Sequence, residues 1–235
     1  MLRLTLAQLF LALMAVPAFA HDPVPCESGR DVPVTVTPVF DEPRFDASQG
    51  LASIQAIAGD KRHSIPQYHS TTMGITRYEP ILEFHVPAEI ESVPGGPGCV
   101  RIGHIDVTVG YRDVTVYIAH EIMPGSCGFQ ETLEHEEKHI AVNRQLLDEY
   151  VPLIEDRFRS YVQLNGTFRV DRAEDAKPLI DQKLQAIMDE MMQRMETENI
   201  RRQREIDSPG EYDRLSHVCN GDLGRLAYRF RHGGG

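Results

Sequence analysis

The chain has 235 residues, with 35 acidic against 24 basic side chains (net charge −11) and 41% hydrophobic residues, enough for one domain with a genuine core. The acidic balance opposes binding to nucleic acid or to an anionic lipid surface. No apolar run is long enough to span a bilayer as a helix, which argues against stable membrane insertion.

The chain opens with a transport label. Arg3 forms a short basic start, residues 4–16 are apolar, and Ala18-Phe19-Ala20 is an A-x-A cleavage site, so residues 1–20 read as a signal peptide and the mature protein begins at His21. A periplasmic or secreted protein is expected. Removing Arg3 leaves 23 basic against 35 acidic side chains, or −12. Cys26, Cys99, Cys127 and Cys219 all lie in the mature part, and four cysteines in an oxidising compartment read as two disulfides with three possible connectivities.

Residues 21–47 carry prolines among alternating valines (Val32, Val34, Val36), which suits an edge strand or an extended arm. A short helix is expected over 48–58, then a loop over 59–74 with His63 and His69. Residues 81–86 read as a strand, closed by Gly95-Gly96-Pro97-Gly98. Next, Ile105, Val107 and Val109 alternate, as do Val114, Val116 and Ile118, which predicts a hairpin with its turn at 110–113. Extending that hairpin outward brings Cys99 towards Cys127, so the favoured pairing is Cys99 with Cys127 and Cys26 with Cys219. His104 and Asp106 fall on the hairpin's outer, solvated face. The second strand, over 114–120, is the expected edge against which an extended substrate would pair.

A helix is predicted over 129–151, capped by Ser126 or Gly128, with a kink or break at Pro152 and renewed helical spacing until Asn165-Gly166. A short extended piece at 167–170 precedes a second long helix over 176–206. Leu179, Ile180, Leu184, Ile187, Met188, Met191 and Met195 line its apolar side, the methionines as core filling. Ser208-Pro209-Gly210 stops it, and the tail 229–235 is expected to fray. The fold class is therefore α+β: a small antiparallel sheet packed on the first long helix, a second long helix after it, and one domain over 21–235.

The first long helix carries His135-Glu136-Glu137-Lys138-His139. Histidines four apart project from one helix face and can grip one Zn²⁺, and the intervening Glu136 can reach water at the metal as a general base. Val142 and Leu146 continue the same stripe, which should face inward, and buried histidines need partners that a metal can supply. The competing reading is a solvated charged face.

Two protein ligands call for a third. A histidine six residues beyond His139 would give an astacin-like site, but that position is Gln145. Glu149 and Glu155 lie too far along the helix. The third ligand is expected from a distant segment: His217 first, with Asp213 or Glu211 as alternatives. Tyr212 is a candidate hydrogen-bond donor to an oxyanion, or an ordinary core aromatic, and Asp213 can orient a histidine or sit at the surface.

Taken together, the leader, the cysteine-bearing strands, His-Glu-x-x-His on a helix, the long helical stretch and the late Tyr212-Asp213 to His217 segment resemble the predicted secreted zinc-dependent proteases of bacterial envelopes. That resemblance implies a zincin-like domain with His135, His139 and His217 on zinc and Glu136 as base, acting on a peptide or protein substrate. The expectation from another class is a noncatalytic envelope protein that keeps a metal site for binding or stability. A third is metal buffering by scattered histidines. Oligomeric state is not readable from the sequence.

Overall fold

The computed structural model describes Cys26 and residues 31–59, 71–92 and 97–233. The expected leader, the loop histidines His63 and His69, and Gly95-Gly96 lie outside these residues. At the centre is one strand, β6 (Ile105–Ile118), 14 residues long. Along one side it pairs in parallel, first with β1 (Val34–Phe40) and then with β2 (Arg44–Asp46); along the other it pairs antiparallel with β3 (Gly74–His85). A second sheet of three antiparallel strands sets β5 (Gly98–Ile102) between β4 (Ala88–Ser92) and β7 (Thr167–Val170). Among the described residues, four α-helices complete the fold: α1 (Leu51–Gly59), α2 (Cys127–Asn165), α3 (Ala176–Ile206) and α4 (Pro209–His232).

The fold is α+β, as expected, but the sheet packed on α2 is mixed, because the parallel approach of β1 and β2 is allowed by the long connection from them to β6. The expected hairpin is instead β6 itself. Both halves bury one face, Ile105, Val107, Val109 and Tyr111, then Val114, Val116 and Ile118. The parity change between them is a bulge: pairing with β3 steps from Thr115–Arg77 to Arg112–Glu79, giving β6 one extra residue, and Asp113 takes a left-handed φ of 50° there. Gly110 stays in the strand because β1 passes so close that a Cβ would overlap the Val39 carbonyl.

The disulfides also differ. With no reversal at 110–113, Cys99 and Cys127 are not brought together; the bridges are Cys26–Cys99 and Cys127–Cys219, with Cα separations of 5.5 and 5.7 Å. The first joins the N-terminal arm to β5. The second ties the start of α2 to a break in α4, where Cys219, Asn220 and Gly221 are all left-handed. Two disulfides fit an oxidising compartment. No helix among the described residues is long and apolar enough to cross a membrane.

Ser126 caps α2, its hydroxyl accepting from the Phe129 amide at 3.2 Å. The helix runs unbroken through Pro152, which is exposed together with Asp148 one turn earlier, so water can satisfy the carbonyl that the proline leaves free. Its buried stripe is continuous: Thr132, His135, Glu136, Ile140, Asn143, Leu146, Leu147, Ile154, Phe158 and Val162. One end of that stripe is apolar core; the other carries the polar residues of the site. Helix α3 returns antiparallel along α2, joined by Arg157–Glu190, Arg202–Glu149 and His139–Gln203. Helix α4 continues to His232, beyond the point where fraying was expected.

Candidate metal centre

Helical spacing puts His135 and His139 side by side on α2, with their Nε2 atoms 3.2 Å apart. His135 is 6% exposed and Glu136 4%, and the ligand atoms of His135, Glu136 and His139 lie within 4.8 Å of one another, a buried group that can hold a metal ion. The third element at this point is the end of α3. Asp207, the residue that closes α3, places Oδ1 3.2 Å from each of the two Nε2 atoms.

The outer nitrogens are also engaged. His139 Nδ1 meets Gln203 Oε1, and Gln203 is held in that orientation because its amide nitrogen donates to Asn199 Oδ1 (3.0 Å), Asn143 Oδ1 (3.2 Å) and the His139 carbonyl (3.3 Å). His135 Nδ1 faces Glu211 Oε1 at 3.5 Å, and that carboxylate is fixed by Lys138 at 2.8 Å and by Arg214. With protons on both Nδ1 atoms, both Nε2 lone pairs point inward, the arrangement expected of metal-binding imidazoles with outer acceptors.

Two inward lone pairs and one carboxylate oxygen form a triangle with 3.2 Å sides. A tetrahedral zinc ion, with bonds of about 2.0–2.1 Å, sets its ligand atoms about 3.3 Å apart. The donor set and its spacing therefore fit zinc, and two imidazoles disfavour calcium or magnesium. Burial opposes charge on His139, but its hydrogen bond to Asp207, the charges of Glu136 and Asp207, and Gln203 together raise its pKa above the ordinary imidazole value. Burial pulls Asp207 the other way, yet its bonds to His135 and His139 hold its carboxyl well below the usual range. The Arg214 hydrogen bonds and Lys138 do the same for Glu211.

Glu136 faces β3. Thr76 donates to its Oε2 at 2.8 Å, and Gly74, two residues earlier on the same strand face, allows the approach: a Cβ there would meet Thr132 Cγ2 at 2.8 Å and Glu136 Cγ at 3.0 Å. Most of the expected substrate edge, 114–118 of 114–120, belongs to β6, which is paired on both sides; the strand that meets Glu136 is β3, which among the described residues pairs only with β6. Residues Thr71 to Tyr78 of that segment line a cleft of about 1040 Å³, whose far wall is α3 and α4 and whose lining includes His135, Glu136, His139 and Asp207.

Of the residues expected from the sequence, His135, Glu136 and His139 meet in one place. Tyr212 joins them: its hydroxyl donates to Asp207 Oδ1 at 3.1 Å and its ring centre lies 6.1 Å from that of His135. Glu211 is behind His135 rather than beside the triangle. His217 is not brought to the pair; its side chain is 76% exposed, with Nδ1 near the Asp213 carbonyl and the Ser216 hydroxyl. Asp213 is equally exposed, and His104 and Asp106 form an exposed pair at 3.1 Å. Asp207, Gln203 and Thr76 were not anticipated. No family model, no curated protein and no solved structure matches the chain.

Proposed function

We propose that this chain is an exported zinc-dependent peptidase, in line with its resemblance to the predicted secreted zinc-dependent proteases of bacterial envelopes, with His135, His139 and Asp207 as metal ligands and Glu136 as general base. One observation carries the reading: three ligand atoms at zinc spacing, beside a buried carboxylate that none of them needs, at the wall of a large cleft. Asp207 suits the third position better than Glu136, because its Oδ1 is 3.2 Å from both imidazole nitrogens while Thr76 occupies one of the two Glu136 oxygens.

When bound, zinc would supply a Lewis acid that acidifies water and polarises a substrate carbonyl. Glu136 takes the proton that water loses as it attacks, and passes it to the departing amine. Thr76 fixes which carboxylate oxygen does this by occupying the other. Gln203 and Glu211 keep the imidazoles in the tautomer that presents Nε2. Tyr212 orients Asp207 and stands where its hydroxyl can turn to charge developing on the carbonyl oxygen.

The test is Glu136→Gln in the zinc-loaded protein. Zinc content should stay at one per chain while peptide hydrolysis falls about 10²- to 10⁴-fold, the usual contribution of a positioned base. A zinc-replete wild type without zinc, or a Gln variant that hydrolyses peptides at the wild-type rate, contradicts the reading.

A further inference from the structure

Strand alternation sends Gly74, Thr76 and Tyr78 of β3 to one face. Gly74 and Thr76 meet Glu136 there, so Tyr78 is the next side chain along the cleft wall, about 7 Å further on. It reaches the opposite wall. Asn199 Nδ2, on α3, donates to the Tyr78 hydroxyl oxygen at 3.4 Å, and Asn199 Oδ1 accepts at 3.0 Å from Gln203, one helical turn on, which holds His139. The Tyr111 ring packs edge-on against that of Tyr78, with 4.6 Å between centres. The phenol is therefore held both by its ring and by its oxygen.

In this arrangement the Tyr78 oxygen accepts, and among the described residues nothing takes its proton. Tyr212 differs, because its hydroxyl already donates to Asp207. Burial, aided by the charge of Glu196, holds the Tyr78 pKa above the ordinary phenol value against the hydrogen bonds from Asn199 and Asn143. The hydroxyl is thus a neutral donor at physiological pH. Tyr78 is only partly buried, so a ligand in the cleft can reach it. A ligand that covers this donor must supply an acceptor or bind more weakly, since a buried unpaired donor is costly. An extended peptide offers a carbonyl at every residue and spans about 3.3–3.6 Å per residue, so an offset of about 7 Å falls some two residues from the reacting bond.

We infer that Tyr78 is a substrate-binding residue, its hydroxyl donating to a peptide carbonyl about two residues from the scissile bond. This rests on the peptidase reading and adds to it a contact away from the reacting atoms.

The experiment starts from a peptide that the zinc-loaded wild type cleaves and measures its binding to zinc-loaded Glu136→Gln protein. Adding Tyr78→Phe, which keeps the ring against Tyr111, should weaken binding about 3- to 10-fold while zinc stays bound. In otherwise wild-type protein the same change should raise KM by that factor with kcat nearly unchanged. Removing the hydroxyl also frees Asn199, so a second set of peptides isolates the contact, each with one amide replaced by a trans-alkene. The alkene about two residues from the scissile bond should weaken binding to the Glu136→Gln protein by a similar factor, and on that peptide alone Tyr78→Phe should cost nothing further. Unchanged affinity and KM in Tyr78→Phe, an equal loss on every alkene peptide, or a coupling confined to the scissile amide overturns the inference. If the wild type cleaves none of the peptides offered, the peptidase reading fails and this inference with it; cleavage that Tyr78→Phe leaves untouched overturns this inference alone.

Discussion

Replacing Asp207 with Asn keeps the side-chain shape and removes the charge on which the two imidazoles converge. If four ligands of a structural zinc site share about 10–16 kcal/mol, each is worth roughly 3–4 kcal/mol, and an amide oxygen recovers part of that. The expected loss is about 2–4 kcal/mol, or roughly 30- to 1,000-fold in zinc affinity. Competition against a chelating dye measures this directly. Thermal unfolding gives an independent reading: zinc at 100 times the wild-type Kd adds about 2.7 kcal/mol of stability, which for a chain of this size raises Tm by about 5–10 °C. The Asn variant should show about a third of that rise or less at the same zinc concentration, whereas His217→Ala, with its exposed side chain, should match the wild type. An Asn variant that binds zinc as tightly as the wild type and shows the same thermal shift refutes the assignment of Asp207.

Further outcomes follow from the neighbouring residues. Gln203→Leu leaves His139 Nδ1 without its acceptor and should lower zinc affinity about 10- to 100-fold, while Gln203→Glu, which keeps an acceptor oxygen there, should stay much closer to the wild type in the same dye competition. Gly74→Ala forces a methyl against Thr132 and Glu136 and should cost about 1–3 kcal/mol in urea unfolding, with a further drop in hydrolysis because Glu136 is displaced. The raised pKa of His139 sets a pH dependence of definite sign. Its protonated form stabilises the metal-free fold below the ordinary imidazole pKa of 6.5, and that stability is lost as pH rises through the raised folded value. Zinc must displace the same proton, so its affinity should be flat at higher pH and begin to fall while the pH is still above 6.5, by about tenfold per unit. Zinc titrations from pH 6 to 8.5 check this, and an affinity that does not change across that range contradicts it.

Local pattern was enough for α2 and α3, though not for α4, which was not expected. The stripe of α2 and the apolar side of α3 repeat every three to four residues over many turns, and α3 occupies the expected range of 176–206. The strand region was harder, because a parity change flanked by Gly110 and Asp113 has the same sequence signature whether the chain reverses or bulges. What decides is tertiary: β1 pairs with β6 up to Tyr111, β2 takes up the same side from Thr115, and β3 pairs along the other side, leaving no room for a turn. The disulfides went with it, since pairing Cys99 to Cys127 depended on that reversal.

The histidine pair and Glu136 were legible because their spacing is local. Asp207 lies 72 residues from His135 and belongs to no motif. A signal was nevertheless there. From His139 to its end α2 runs about 39 Å, and α3 is about 46 Å long, so an antiparallel return brings the last turn of α3 back to the level of His139. The segment after Ser208, with Glu211, Tyr212, Asp213 and His217, is the denser in ligand residue types and outweighs that geometric signal in the sequence. Of that segment, the structure places Tyr212 and Glu211 near the histidines and leaves His217, later on the same helix, at the surface.

X-ray absorption at the zinc edge, on protein purified with zinc and freed of excess metal, addresses the centre itself. The expected spectrum has two imidazole nitrogens and oxygen donors in the first shell at about 2.0–2.2 Å, with no sulfur, and in Asp207→Asn protein the zinc signal is lost or its oxygen shell altered. Three imidazoles, sulfur ligation, or no bound zinc would contradict the centre formed by His135, His139 and Asp207.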